Sequence, residues 1–203
     1  MLSTQPSLNI QKWLRPEVAG LYCEPGDFYI DPVAAVDRAI ITHAHSDHAR
    51  PGNNHILATR ETIDIMKIRM GNFAGQNMQD LKLGERLKVG DATITLAPAG
   101  HVLGSAQVII EYNGQKAVIS GDYKRRPDPT CLPFEPIPCD LLITEATFGL
   151  PVFKHPMADQ EIGKLIVSLA TFPDRTHLVG VYGLGKCQRT IMLLRMAGYE
   201  RPI

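Results

Sequence analysis

The first half of the chain alternates apolar and polar positions in short runs that predict β-strands. Three of these runs are bounded by proline, glycine or asparagine and lie at residues 27–31, 38–43 and 55–59. Residues 61–71 instead have the apolar spacing of a helix that closes on a glycine. From 81 to 122, alternating runs flank Asn113 and Gly114, a pair typical of the tight turn of a β-hairpin. This half is therefore predicted to consist mainly of β-strands.

The pattern changes after a proline-rich stretch, residues 125–140, which cannot hold regular structure for long. Residues 141–147 predict a buried strand. A helix, a strand and a second helix are predicted after it, at residues 157–172, 177–183 and 186–198. This alternation is typical of a parallel β/α unit. One such unit cannot close a sheet by itself, so we expect the native chain to continue beyond residue 203.

Composition describes the setting of the protein but not its substrate. The 203 residues suffice for one domain, or one domain and part of another. Lysine plus arginine (21) equals aspartate plus glutamate (21), so net charge indicates neither a nucleic-acid nor a membrane partner. The four cysteines are far apart and form no C-x-x-C pair, which argues against a disulfide framework or a structural zinc knuckle. With neither a signal peptide nor an apolar run of membrane length, we expect a cytoplasmic protein without a membrane partner.

The segment THAHSDHARPG, residues 42–52, carries the clearest chemistry in the sequence. It places His43, His45, Asp47 and His48 within six positions, directly after a predicted strand. Imidazole nitrogens and carboxylates are the ligands that zinc and similar divalent ions take. Four such groups exceed what one tetrahedral site with an open position needs, so two adjacent ions explain the number better. The isolated histidines elsewhere in the chain are interpreted as surface or hydrogen-bonded core residues.

Two further ligand candidates stand at predicted strand ends next to small residues. His101 follows a strand in the segment APAGHVLGSA, and Asp122 follows the second strand of the hairpin in VISGDYKR. Both positions are suited to completing a two-metal site.

The metal candidates, together with Asp31 in YIDP, resemble in order and spacing the motifs of the metallo-β-lactamase superfamily. TEATFG (144–149) is similar to the acidic motif of the β-CASP nucleases, and residues 180–194 are similar to the strand, glycine turn and helix that open their cap domain. The segments ARPG, SGDYKRRPDPTC and TEATFGLPVFKHP resemble the bacterial ligase-associated DNA exonuclease branch.

This resemblance implies an α+β fold, the four-layer αββα metallo-β-lactamase sandwich. Residues 1–150 would form the metallo-β-lactamase domain, and residues 151–203 would begin a β-CASP cap. It also implies two divalent ions, preferably Zn²⁺ with Mn²⁺ as the alternative, which would activate a hydroxide for attack on a phosphodiester. It assigns His43, His45 and His101 to the first ion, Asp47 and His48 to the second, and Asp122 to both.

Other site residues follow from the same resemblance. Asp31 would orient ligand histidines from outside the ligand set, with Asp37 as a weaker competitor for that role. Glu145 would orient a histidine that acts on the leaving oxygen. Substrate phosphates would contact Lys124 and the turn of Gly183, Gly185 and Lys186, although Lys124 and its arginine neighbours fit a solvated loop equally well, and the turn fits an ordinary β–α connection.

The leading functional hypothesis is a nuclease that processes DNA ends in repair, working with a DNA ligase and a helicase. An RNA 3′-end processing nuclease is the alternative, and a small-molecule hydrolase or a non-catalytic scaffold subunit is less favoured. Family members complete the second metal site with a histidine near the C-terminus and take a leaving-group histidine from the end of the cap, and neither has a counterpart in this sequence. We therefore expect this chain to hold one ion more tightly than the other and to have little activity alone.

Overall fold

Two stacked β-sheets form the frame of the computed structural model, which describes residues 10–203. A one-turn helix, α1 (Ile10–Trp13), leads into the first sheet. This sheet has six strands in chain order, β1 (Leu14–Glu17), β2 (Gly20–Cys23), β3 (Phe28–Ile30), β4 (Arg38–Ile40), β5 (His55–Ala58) and β6 (Asn77–Asp80). The pairs β1–β2 and β2–β3 are antiparallel, whereas β3 to β6 are parallel.

The second sheet has five strands. They are β7 (Arg86–Val89), β8 (Ala92–Pro98), β9 (Ala106–Tyr112), β10 (Gln115–Ile119) and β11 (Leu141–Ile143). They follow the order β11-β10-β9-β8-β7, and only the β10–β11 pair is parallel. Asn113 and Gly114 have positive φ values of 49° and 73° and close the β9–β10 hairpin, which confirms the predicted turn.

The main core lies between the two sheets, because one face of each strand carries apolar side chains inward. Ile40 and Leu57 of the first sheet share a buried cluster with Ile94, Leu96 and Ile110 of the second. The alternate residues of β4 and β5 face the other way and pack against helix α2 (Arg60–Met70). This period-2 division of apolar residues stabilises two layers at once.

The outer face of the second sheet is covered by irregular backbone. Ile109 and Val118 are buried there and pack against Ile137 of the proline-rich stretch. No regular element occupies 125–140 in this part of the chain, as predicted from its prolines. Mixed sheets with helices confirm the predicted α+β fold class.

Two predicted elements after residue 140 are wrong. No strand within residues 10–203 pairs with 177–183, where Leu178 is 92% exposed, because an isolated extended segment has no ladder to stabilise it. The strand predicted at 141–147 is only Leu141–Ile143 and is not buried, since it pairs on one side alone and Leu142 is 54% exposed. The flanking helices α3 (Ala158–Thr171) and α4 (Lys186–Met196) are confirmed and contact each other, but the β/α unit lacks its strand.

Gly104, in the loop between β8 and β9, lies where helix α2 packs against the second sheet. Its carbonyl accepts hydrogen bonds from the hydroxyls of Thr59 and Thr62, and an added Cβ would lie 2.7 Å from the Thr62 nitrogen. Gly114 has a similar φ, 73° against 78°, with open space around it.

Gly104→Ala should therefore lower the free energy of unfolding more than Gly114→Ala does. The backbone strain of about 1–2 kcal/mol is common to both variants, and the collision is confined to the first. Urea unfolding of the two variants measures the difference. Equal losses in the two variants would contradict the close packing described here.

Candidate metal centre

The predicted metal ligands meet at one edge of the stacked sheets. His43 and His45 lie in the loop after β4, His101 follows β8, and Asp122 follows β10. Strands β8 and β10 point the same way because each is antiparallel to β9, so their ends reach the same edge. The Thr42 carbonyl accepts a hydrogen bond from the Ala106 N–H at 2.8 Å and joins the histidine loop to the second sheet.

Three imidazole nitrogens face one another at this edge. His43 Nε2 lies 3.0 Å from His45 Nδ1, which lies 3.2 Å from His101 Nε2. Asp122 Oδ2 is 3.5 Å from His101 Nε2 and 3.9 Å from His43 Nε2, and all four ligand atoms fall within 4.8 Å of one another. Ligands about 2.0–2.1 Å from a tetrahedral zinc ion would be separated by about 3.3 Å. These four groups fit a divalent metal ion.

The tautomer of His43 follows from its neighbours. The Thr42 hydroxyl donates to Asp31 Oδ2 at 2.6 Å, so its lone pair accepts from His43 Nδ1, 3.0 Å away. The Nε2 atom of His43 therefore carries the lone pair that faces the site. The hydroxyl of Thr42 acts as a relay between the Asp31 carboxylate and this ligand.

Asp31 also orients His48 directly. Its Oδ2 accepts a hydrogen bond from His48 Nδ1 at 2.7 Å, and its Oδ1 accepts from the Thr42 N–H at 2.8 Å. One carboxylate thus holds two histidines with their Nε2 atoms toward the site, the arrangement that fixes ring orientation around protein-bound metals.

A second set of donors is more open than the first. His48 Nε2 lies 3.4 Å from Asp122 Oδ1, so the two Asp122 oxygens face the two sets of histidines. Asp47 Oδ2 is 3.8 Å from His48 Nε2, and the Asp47 side chain is 74% exposed. The predicted second-ion ligands are neighbours, but solvent surrounds the Asp47 carboxylate.

The electrostatics of the two sets also differ. Burial, reinforced by neighbouring histidines, lowers the pKa of His43, and burial lowers the pKa of His101 to about 4. Burial acts in the same direction on His48, but hydrogen bonds to Asp122 and Asp31 outweigh it and raise its pKa to about 10. The hydrogen bond from His48 in turn lowers the pKa of Asp122. At neutral pH, His43 and His101 are neutral and each keeps one free lone pair. His48 is protonated on both ring nitrogens and has none.

The remaining predicted site residues are engaged locally. Glu145 is half-buried and accepts a hydrogen bond from the Thr147 N–H at 2.8 Å, and the buried strand that was expected to precede it is short and half-exposed. The Lys124 ammonium pairs with the carboxylate of Asp128, whose side chain is 3% exposed. This pairing neutralises the charge that was predicted to contact phosphate.

The glycine turn lies against the metal centre and closes on itself. The Gly185 N–H donates to Gln188 Oε1 at 2.7 Å, and the Lys186 ammonium lies 4.3 Å from the centre of the Tyr182 ring. His45 Nε2 lies 3.2 Å from the carbonyl oxygen of Leu184. A carbonyl can only accept, so Nε2 carries the proton and Nδ1 has the lone pair that is free to bind a metal ion.

Sequence reasoning missed three supporting groups, Thr42, Ser105 and Leu184. Ser105 Oγ accepts hydrogen bonds from the N–H groups of His101 and Val102, each at 3.1 Å, and holds the His101 loop. Thr42 and Ser105 lie within the segments THAHSDHARPG and APAGHVLGSA, so a search for hydroxyls beside the candidate histidines could have found them. Leu184 contributes a backbone carbonyl, which leaves no signal in the sequence.

A family model described as a beta-lactamase superfamily domain matches residues 5–164. The chain belongs to the metallo-β-lactamase superfamily. Its resemblance to the β-CASP nucleases within this superfamily is confirmed by the relatives that it matches. Within residues 10–203, none of the helices is long and apolar enough to cross a membrane.

Three curated relatives illustrate the match. A probable DNA ligase of Opitutus terrae is 30% identical over 86% of this chain and 17% of the ligase. An endoribonuclease of Neurospora crassa is 29% identical over 88% of this chain and 25% of the relative. A ribonuclease of Thermus thermophilus is 32% identical over 60% of this chain and 34% of the relative. The chain thus spans between 17% and 34% of the length of each.

A solved structure supports the fold. A protein of unknown function from Enterococcus faecalis superposes with a TM-score of 0.52 at 16% identity, over 79% of this chain and 44% of that protein.

Replacing Asp31 tests the orientation of the ligand histidines. Asp31→Asn puts an amide where one oxygen accepts from His48, so we expect metal affinity to fall about 10- to 100-fold. Asp37→Asn is the matched control, because Asp37 is exposed and bonds Asn54 away from the site. Zinc competition with a chelator measures both. Equal affinities for the two variants would exclude the orienting role of Asp31.

Proposed function

We propose that this protein is a metal-dependent phosphodiesterase that hydrolyses DNA, with exonucleolytic processing of DNA ends as its role. The observation that carries the proposal is the convergence of His43, His45, His101 and Asp122 at one exposed sheet edge. Bound divalent ions, zinc or manganese, would supply a water nucleophile at neutral pH and positive charge against the phosphate. His43, His45, His101 and Asp122 would hold the first ion, and Asp47, His48 and Asp122 would hold the second.

The chain's own groups prepare this site in separate ways. Asp31 and Thr42 fix the histidine rings, and the neutral state of His43 and His101 leaves their lone pairs free. Asp47 and Asp122 contribute two negative charges to the ligand set, fewer than the four positive charges of two divalent ions. The loaded site would therefore favour an anionic substrate such as a phosphodiester.

DNA is preferred as substrate because the relative that is a probable DNA ligase aligns with 86% of this chain at 30% identity. It also supports action beside a ligase in DNA repair, with a helicase as a further partner. RNA is the second candidate, because two other relatives carry the names endoribonuclease and ribonuclease. Residues 1–150 would supply the metal centre, and residues 151–203 the beginning of a substrate-binding cap.

The full-length protein should degrade end-labelled single-stranded DNA with Mn²⁺ or Zn²⁺, and RNA of the same sequence more slowly. Asp122→Asn should reduce either activity at least about a hundredfold, because it removes the carboxylate shared by both sets of donors. Asp91→Asn, in an exposed hairpin turn, serves as the control. Faster degradation of RNA would reverse the substrate preference, and full activity of Asp122→Asn would eliminate the metal-centred mechanism.

Glu145 is proposed to act on the leaving side of the reaction and to hold no metal. It is close enough to His101 to raise the pKa of that ring, against the larger opposing effect of burial. Glu145→Gln should lower kcat about tenfold or more and leave zinc affinity unchanged. Glu135→Gln, at an exposed glutamate, is the control. A parallel loss of zinc affinity in Glu145→Gln would instead mark Glu145 as part of the metal centre.

A further inference from the structure

The turn before helix α4 makes a direct contact with the metal centre from a distant part of the chain. The Leu184 carbonyl faces His45 Nε2 at 3.2 Å across 139 positions of sequence. His45 is the histidine that uses Nδ1 toward the site, so this carbonyl fixes both its tautomer and its ring orientation.

The turn itself is held by its own hydrogen bonds. The Gln188 side chain accepts from the Gly185 N–H and donates to the Gly183 carbonyl at 2.9 Å, and the Cys187 N–H donates to the Tyr182 carbonyl at 3.0 Å. The Leu184 side chain packs against the apolar cluster beneath helix α2. The carbonyl therefore stands on a defined loop that is packed against the first sheet.

The turn is also packed closely against the His101 loop. Gly185 has a φ of 89°, and an added Cβ there would lie 2.5 Å from Val102 Cγ1 and 4.0 Å from His45 Nε2. A side chain at this position would collide with Val102, the neighbour of His101, so the turn or the Val102 side chain would have to shift.

A partly buried ion pair fastens the helix that follows the turn, with the Arg189 side chain 27% exposed and the Asp128 side chain 3% exposed. Arg189 Nε lies 3.4 Å from Asp128 Oδ2 and has no hydrogen bond of its own. Asp128 also pairs with Lys124 and accepts from the Thr130 hydroxyl at 2.6 Å, and the Lys124 N–H donates to the Ala99 carbonyl at 3.0 Å. Helix α4 is thus tied to the segment that follows Asp122. That segment is itself hydrogen-bonded to the backbone just before His101.

We infer that the turn at residues 182–185 is a positioning element of the first metal site, and that metal binding and the docking of helix α4 stabilise each other. An ion on His45 Nδ1 requires the tautomer that the Leu184 carbonyl selects. By linkage, a change that destabilises the docked turn must lower the affinity for the ion. Binding of the ion must in turn stabilise the docked turn by the same factor. The inference rests on the metal centre proposed above and is independent of the substrate.

The test measures zinc affinity of the metal-free protein by competition with a chelator. Gly185→Ala and Arg189→Met should each bind the tighter zinc ion about tenfold more weakly, as expected for loss of a partner that orients a ligand. Gly198→Ala is the matched control, because Gly198 also has a positive φ, 84°, and an added Cβ there meets nothing within 4 Å. Circular dichroism establishes that each variant is folded.

Hydrogen exchange supplies the reciprocal measurement without any substitution. Zinc should slow amide exchange in helix α4 of the wild-type protein by a factor comparable to the affinity change, and this result stands even where Gly185→Ala fails to fold. Wild-type zinc affinity in Arg189→Met, with α4 exchange unaffected by zinc, overturns the inference while leaving the metal centre intact. Absence of zinc binding in the wild type overturns both.

Discussion

The convergence of three imidazole nitrogens, with the His45 nitrogen 3.0 Å and 3.2 Å from the other two, is the constraint on which the rest of this structure depends. Rings cannot be placed so closely by surface loops alone, because each must be held by its backbone and by its second nitrogen. The protein meets this need by ending β4, β8 and β10 at one edge and joining the two sheets there through the Thr42 carbonyl and the Ala106 N–H. The core between the sheets thereby fixes the distance between segments that are about 60 residues apart in the chain.

The orientation of each histidine has its own source. His43 is held through the Thr42 hydroxyl, His48 directly by Asp31, and His45 by the carbonyl of Leu184. The result is an asymmetric centre. One set of donors has a buried His43 with half-buried partners, and its His43 and His101 are neutral at neutral pH, whereas the other set includes a protonated His48 and an exposed Asp47. An ion in the second set must displace a proton from His48, so the two ions should bind with different affinity.

Much of this could be predicted from the sequence, for identifiable reasons. The candidate ligands could be found because H-x-H-x-D-H places four metal-binding residue types close together at the end of a strand. The hairpin could be predicted because Asn113 and Gly114 adopt positive φ at low cost. The prediction of a strand at 177–183 was wrong. Apolar alternation shows only that a segment could fit into a sheet, whereas a strand also needs a neighbouring strand to pair with. The bonds of Glu145 to the Thr147 N–H and of Lys124 to Asp128 join residues two and four positions apart. They were not predicted because the pattern of residue types does not fix which rotamer a side chain adopts.

The most direct test of the account is the position of zinc in a crystal of the protein soaked with the ion, located by anomalous scattering at the zinc edge. The account predicts a peak bonded to His43 Nε2, His45 Nδ1, His101 Nε2 and Asp122. A peak bonded through His45 Nε2, or no peak among these four side chains in crystals that bind zinc elsewhere, would contradict it.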